Sequence, residues 1–197
     1  MSLKLPTSPR YRKSAKKLFL REKSLKSKNP SIVSVGAIIA GSTSRASEYA
    51  KQLIEKQKVR RLYGISESQF KKYYVLASKA GQNTAETMLQ ILERRIDNVV
   101  YRAGLASTRA ESRQMVSHKL IKLNGRRVNI PSILVKTGDE IEPVKKTERM
   151  ESLNSDMTPK WLDKNNKSYA IKISNLPARD DVDQDINEQL IVEYYSK

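Results

Sequence analysis

The sequence predicts an α+β fold in which helices lead into a small, mostly antiparallel sheet, behind a basic, extended N-terminal segment. Three observations carry this. Apolar residues recur at helical spacing in successive segments from Ser44 to His118, several opened by capping signals. After Lys119 the period changes to alternation, and Asn124-Gly125 is a strong hairpin signal because both turn positions need positive φ. Residues 1–30 carry ten basic side chains against the single acid Glu22, with Pro6, Pro9 and Pro30 breaking regularity. Such a segment cannot bury enough apolar surface to order itself.

The basic extension is expected over residues 1–43, where Arg10, Arg12, Lys13, Lys16 and Lys17 would thread along a polyanion. Ile32 to Ala40 has the outline of a short leader core, but it starts late and follows a long lysine block, so a strand or packed loop is expected instead. From Ser44 a helix runs through Tyr49, Leu53 and Ile54 to Gly64, which can end it in the left-handed conformation. Lys56, Lys58, Arg60 and Arg61 crowd that helix end, where cations are favourable; the plain alternative is a solvated face. Ser66 and Gln69 make a capping box for a helix with Phe70, Tyr73, Tyr74, Leu76 and Ala77 on its core side, ending at Ala80-Gly81.

Asn83 and Glu86 open the next helix, whose stripe Met88, Leu92, Ile96, Val99 and Ala103 runs unbroken to Gly104 and leaves Arg94, Arg95 and Arg102 facing outward. Thr108 and Glu111 cap a helix over Arg109 to His118, with Ala110, Met115 and Val116 for burial and Arg109 and Arg113 for solvent. Leu120, Ile121 and Leu123 then lead into the hairpin, with Arg126 and Arg127 directly after the turn. Further strands are expected near Ile133–Val135, at Glu140–Val144 and at Tyr169–Ile173, and a terminal helix over Glu188–Tyr195. Trp161 is expected to anchor the core between the two halves of the chain.

The formal net charge of +17, from 38 basic and 21 acidic side chains, makes nucleic acid the leading partner. From residue 151 onward six basic side chains meet nine acidic ones, so the polyanion-facing surface belongs to the first three quarters of the chain. No cysteine is present, which excludes disulfides, thiol nucleophiles and cysteine-ligated zinc, and the one histidine, His118, cannot build a multi-histidine metal site. Asp180, Asp181, Asp183 and Asp185 lack the glycine and glutamate of a calcium loop. No phosphate-cradling glycine loop, dinucleotide fingerprint or Ser-His-Asp order appears, so no catalytic residue, metal or cofactor is expected. No apolar run approaches the ~20 residues that span a bilayer, and no membrane association is expected. Arginines fixed on packed helices and a hairpin suit paired phosphate oxygens and would read the shape of a folded RNA.

Several motifs carry a resemblance. Leu92-Glu93-x-Arg95-Ile96-Asp97-Asn98-Val-Val-Tyr-Arg102, Arg113-Gln114-x-Val116-Ser117-His118, Asn124-Gly125, Asn129-Ile130-Pro131-Ser132 and Gly138-Asp139-x-Ile141 resemble the RNA-binding module of the bacterial small-subunit ribosomal protein S-four family. Similar modules occur in pseudouridine synthases, tyrosyl-tRNA synthetases and a heat-shock RNA-binding protein. The flanks separate these: Glu55-Lys-Gln-Lys-x-Arg60-x-x-Tyr63-Gly64 before the module, and Ile186-Asn187-Glu188-x-Leu190 through Lys197 after it.

The resemblance spans about residues 45–197. It implies a helical domain (44–87, joined by about 175–197) into which an RNA-binding module (88–174) is inserted. It implies a non-enzymatic constituent of the small ribosomal subunit in the cytoplasm, a primary binder of the five-prime domain of small-subunit ribosomal RNA. Such a protein promotes assembly, contacts neighbouring small-subunit proteins, and lies near the channel where messenger RNA (mRNA) enters, contributing to translational accuracy. The implied module contacts are Arg94, Arg95, Arg102, Arg109, Arg113, His118, Lys119, Asn124, Arg126 and Arg127, joined in the helical domain by Lys56, Lys58, Arg60, Arg61 and Tyr63; Asp97 and Asn98 would orient arginines. An RNA-modifying enzyme sharing the module would need a catalytic domain for which the chain has no room, and a free RNA chaperone would differ in residence rather than chemistry.

Overall fold

A computed structural model of the chain describes residues 47–81, 83–145, 158–165, 168–183 and 185–196. The expected extension over 1–43, including Arg10, Arg12, Lys13, Lys16, Lys17 and the segment Ile32–Ala40, lies outside the described residues. The chain divides into two compact units at Ile65/Ser66 and again at Glu188/Gln189, so the second unit interrupts the first in sequence. The division falls at Ser66 rather than near Met88, because helix 67–79 packs on helix 84–93 inside the second unit.

In the first unit, α1 (Glu48–Leu62) starts where the Ser47 hydroxyl accepts from the Ala50 amide. It stops at Gly64, whose φ of +63° lets the Gly64 and Ile65 amides donate to the Arg61 and Arg60 carbonyls. The end of the chain returns to this helix: Tyr194 stacks on Tyr49 at 5.7 Å, and Gln52 Nε2 donates to Glu193 Oε2 at 2.9 Å.

The second unit begins with α2 (Glu67–Lys79), capped by Ser66, with Phe70, Tyr73 and Ala77 buried. Leu76, expected in the core, is 53% exposed because it lies six residues beyond Phe70, about 120° around the helix. The single helix expected from Thr84 to Gly104 is two: α3 (Thr84–Glu93) and α4 (Ile96–Arg102), with Arg95 extended between them. Segment 131–135 causes the break, since the Ile133 and Pro131 carbonyls accept from the Ile96 and Asp97 amides and an isolated bridge joins Arg95 to Leu134. For the same reason 133–135 is not the sheet strand the alternation suggests; its backbone pairs with the helix break. Helix α5 (Arg109–Ser117) is capped by Thr108, and its buried positions are Ser112 and Val116, with Ala110 on the exposed side.

Five strands, β1 (Ile121–Leu123), β2 (Arg126–Val128), β3 (Glu140–Pro143), β4 (Leu162–Lys164) and β5 (Ile171–Ile173), form an antiparallel sheet in the order β2-β1-β3-β5-β4. Ile121, Ile141, Ile171 and Ile173 face inward onto Ile96, Val99, Val100 and Val116. Each such fully buried isoleucine stabilises by roughly 1.5–3 kcal/mol. Trp161 belongs to this core, correcting the expectation that it bridges two halves, and the β4 edge strand that follows it has too short a run to be foreseen.

Candidate nucleic-acid interface

The interface starts at the α3–α4 break. There Arg95 has ψ 134°, which turns its side chain inward, and it is 1% exposed. Its guanidinium donates to both oxygens of Asp97 (Nε–Oδ1 3.0 Å, Nη2–Oδ2 2.6 Å) and to the Tyr73 hydroxyl at 2.7 Å. Burial acts to lower the Arg95 pKa, but hydrogen bonds and charge from Asp97 and then Tyr73 outweigh it, so the pKa is raised and the cation is held charged. Arg95 is therefore a buried strut and not an outward-facing contact, because the helix break replaces the helical face on which it was placed.

A second framework stands on Glu93, which is fully buried. Its carboxylate accepts from Arg102 (Nη2–Oε1 2.8 Å, Nε–Oε2 3.1 Å) and from Asn98 Nδ2 at 2.7 Å. Asn98 Oδ1 in turn accepts from Arg109 Nε at 2.9 Å, and the Arg109 guanidinium lies 4.6 Å over the Tyr101 ring. Arg102 and Arg109 are thus mostly covered and ion-paired rather than displayed, with side chains 16% and 17% exposed. Arg94 is half-buried, with Nε donating to the Val135 carbonyl at 2.9 Å. Asp97 and Asn98 do orient arginines, as expected of them.

The exposed cations lie further along. Arg113, on the outer side of α5, is anchored by one nitrogen 3.5 Å from Asp97 Oδ2 while its side chain remains 44% exposed. His118 and Lys119 follow at the helix end, both exposed. There the Lys119 amide donates to the Val116 carbonyl and the Leu120 amide to the Met115 carbonyl, a helix stop normally built on glycine, with Lys119 at φ +58°. The chain then enters β1 and reaches the hairpin. Asn124 (φ +50°) and Gly125 (φ +79°) form its two-residue turn, and Arg126 and Arg127 are exposed beyond it.

Asn124 is committed to the fold: its Nδ2 donates to Asp139 Oδ1 and its Oδ1 accepts from the Glu140 amide, both at 2.9 Å. Register sets Lys122 directly opposite Arg127 on the solvent face of the sheet. Like charges opposite one another are unfavourable unless an anion joins them, and Glu142 of β3, opposite Lys122 on its other side, partly offsets the repulsion here. Lys122 was not among the expected contacts, although a two-residue Asn-Gly turn places residue 122 across from 127.

In the first unit, Lys58 pairs with Glu55 at 3.3 Å and Arg60 Nη2 donates to Gln57 at 2.8 Å, while Arg61 is half-buried. Lys56 and Tyr63 are buried, which corrects their placement as surface contacts. The Lys56 ammonium sits 4.5 Å over the Tyr194 ring, drawn in by the returning terminal helix α6 (Glu188–Tyr195). Among the described residues no His/Cys/Asp/Glu group could hold a metal, and no helix is long and apolar enough to cross a membrane.

Cations displayed at a helix end and on a hairpin, with Arg113 held by the buried Asp97 carboxylate, define the class: a basic module suited to a polyanion. Residues 94–141 match the S4 domain and residues 4–93 match the ribosomal protein S4/S9 N-terminal domain. The chain is similar to small ribosomal subunit protein uS4 of Caldicellulosiruptor bescii (49% identical over 160 residues, 78% of this chain and 77% of that protein). It is similar also to uS4 of Ruthia magnifica (51% over 160 residues, the same shares) and of Clostridioides difficile (46% over 159 residues, 78% and 77%). The chain belongs to the uS4 family of small ribosomal subunit proteins, a structural and non-enzymatic family.

Proposed function

We propose that the chain is a primary binder of the five-prime domain of small-subunit ribosomal RNA. It promotes subunit assembly beside neighbouring small-subunit proteins and lies near the channel where mRNA enters, contributing to translational accuracy. The observation that carries this reading is the set of exposed cations Arg113, Lys119, Arg126 and Arg127, with the exposed His118 beside Lys119, on elements whose backbone is fixed at both turns. Lys122, half-buried opposite Arg127, extends it.

These residues would touch phosphate. Arg94, Arg102 and Arg109 would engage at the margin of the surface, whereas Arg95 supports it from within. Lys58, Arg60 and Arg61 offer a second basic group on α1, and the extension bearing Arg10, Arg12, Lys13, Lys16 and Lys17 adds further phosphate contacts. Sequence-independent phosphate contacts would give affinity, and the fixed spacing of the guanidinium forks would select a folded RNA shape.

Chemical footprinting of the chain on a transcript of the five-prime domain tests the reading. Discrete protections that disappear when Arg126 and Arg127 are both replaced by alanine are expected. Protections spread evenly over unrelated RNA, or absence of the protein from salt-washed small subunits, would overturn it.

A further inference from the structure

Arg102 ends α4 and Arg109 begins α5, and both guanidiniums face the same carboxylate. Asp183 Oδ1 lies 3.3 Å from Arg102 Nη2, and Asp183 Oδ2 lies 3.7 Å from Arg109 Nη2. The side chain of Asp183 is 40% exposed, more than twice either arginine, so it sits on the solvent side of the pair. The arginines do not depend on it for their placement. Glu93 and Tyr101 with Asn98 hold them from the protein side. Asp183 is presented by an anchored turn: Val182 and Ile186 on either side are buried, and the Ile186 amide donates to the Asp183 carbonyl at 3.3 Å.

We propose that Asp183 stands in for an RNA phosphate, occupying a two-arginine phosphate site on Arg102 and Arg109 and thereby screening it from unselected polyanions. The inference rests on the RNA-binding reading above and adds a specificity-determining residue to it. A carboxylate and a phosphate both offer two oxygens to guanidinium forks, so one can replace the other without rebuilding the site. With Glu93 and Asp183 present, Arg102 and Arg109 are neutralised locally, and a passing polyanion gains nothing there. An RNA whose shape brings a phosphate to this point displaces Asp183; one that does not meets a like charge, which is how an interface rejects wrong partners.

The test uses the full chain with Asp183→Asn, which keeps shape and removes charge, and two probes: single-stranded poly(A) and the five-prime-domain transcript. Binding to poly(A) is expected to tighten about three- to tenfold at low salt, with the log–log salt slope steeper by about 0.7, since removing one carboxylate uncovers one positive charge while Glu93 stays paired with Arg102. The transcript should gain less, so the ratio between the two narrows. Asp183→Glu should keep the weak poly(A) binding. Asp183→Ser serves if the asparagine variant folds poorly.

Unchanged or weaker poly(A) binding by a variant with a normal melting curve would overturn the inference. So would loss of folding in both neutral variants, because a stand-in is not needed to hold the fold. The Arg126→Ala/Arg127→Ala double variant runs in parallel. If it binds the transcript like the parent, the RNA-binding reading of this surface is at fault; if it binds poorly while Asp183→Asn changes nothing, only the role of Asp183 is.

Discussion

Arg95 and Asp97, two residues apart, face each other in a two-point ion pair inside the α3–α4 break, with Nη2–Oδ2 at 2.6 Å and Nε–Oδ1 at 3.0 Å. Each supplies the other's two shortest charge-assisted contacts with a partner of opposite charge. The extended backbone at Arg95 turns the guanidinium in, and the first turn of α4 presents the carboxylate to it. Arg113 reaches the same carboxylate from α5, so one buried anion links a strut to an exposed cation.

Replacing Arg95 by alanine leaves Asp97 a buried, poorly compensated charge, for which a loss of about 3–5 kcal/mol of unfolding free energy is expected. Tyr73→Phe removes one acceptor of the same guanidinium and should cost about 1–2 kcal/mol. Urea denaturation measures both. The slope of RNA affinity against salt should stay at the parent value for whatever fraction remains folded, since Arg95 releases no counterion. A flattened slope would mean that Arg95 reaches phosphate after all.

Arg113, Arg126 and Arg127 should behave in the opposite way. The Arg126 and Arg127 alanine variants are expected to keep stability within about 0.5 kcal/mol, since exposed side chains away from caps and core rarely do more, whereas Arg113→Ala also loses its contact with the buried Asp97 and should cost up to about 1 kcal/mol. Each should flatten the salt slope by about 0.7–0.9 if it engages one phosphate. Titrations at four or five salt concentrations suffice to read it.

The hairpin turn carries the register that sets Arg127 beside Lys122. Gly125→Ala places a side chain at φ +79° and is expected to cost about 1–2 kcal/mol. Asn124→Ala removes the bonds to Asp139 and the Glu140 amide and should cost about as much, with its effect on RNA affinity following the loss of folded protein. Thermal melts of the two variants, compared with their RNA affinities at a temperature where both are folded, check this.

Local grammar accounts for what was legible beforehand. Capping residues Ser66, Asn83 and Thr108, the Gly64 stop and the Asn-Gly turn each act within a few residues, so α2, the start of α3, α5 and the β1–β2 hairpin could be read in order. The α3–α4 break could not, because its cause is the backbone of 131–135 arriving from some forty residues away in sequence. That miss propagated: a continuous helix puts Arg95 on its surface, and the broken one puts it in the core. Lys56 failed for the same reason, its burial being imposed by Tyr194 at the far end of the chain. Charge named the partner class correctly but could not divide the arginines into those displayed and those that brace, since that depends on where Glu93, Asp97 and Asp183 fall in space.

Lys119 offers the last test, because stability and binding should move in opposite directions there. Its backbone closes α5 in the left-handed region, where a side chain with a β-carbon costs about 1–2 kcal/mol over glycine. Glycine at the same place relieves that strain but gives back about 0.4–1 kcal/mol through the greater freedom of the unfolded chain. Lys119→Gly is therefore expected to leave unfolding free energy unchanged or raise it by up to about 1.6 kcal/mol. The same change removes an exposed ammonium between Arg113 and the hairpin arginines, so RNA affinity at low salt should fall and the salt slope should flatten by about 0.7–0.9. Lys119→Ala separates the two effects, keeping the strain while losing the charge: it should bind as weakly as the glycine variant and unfold more easily than it. If Lys119→Gly bound RNA as the parent does, the strained lysine would be a feature of the helix stop alone. A drop in both stability and binding would show instead that the ammonium steadies the end of α5.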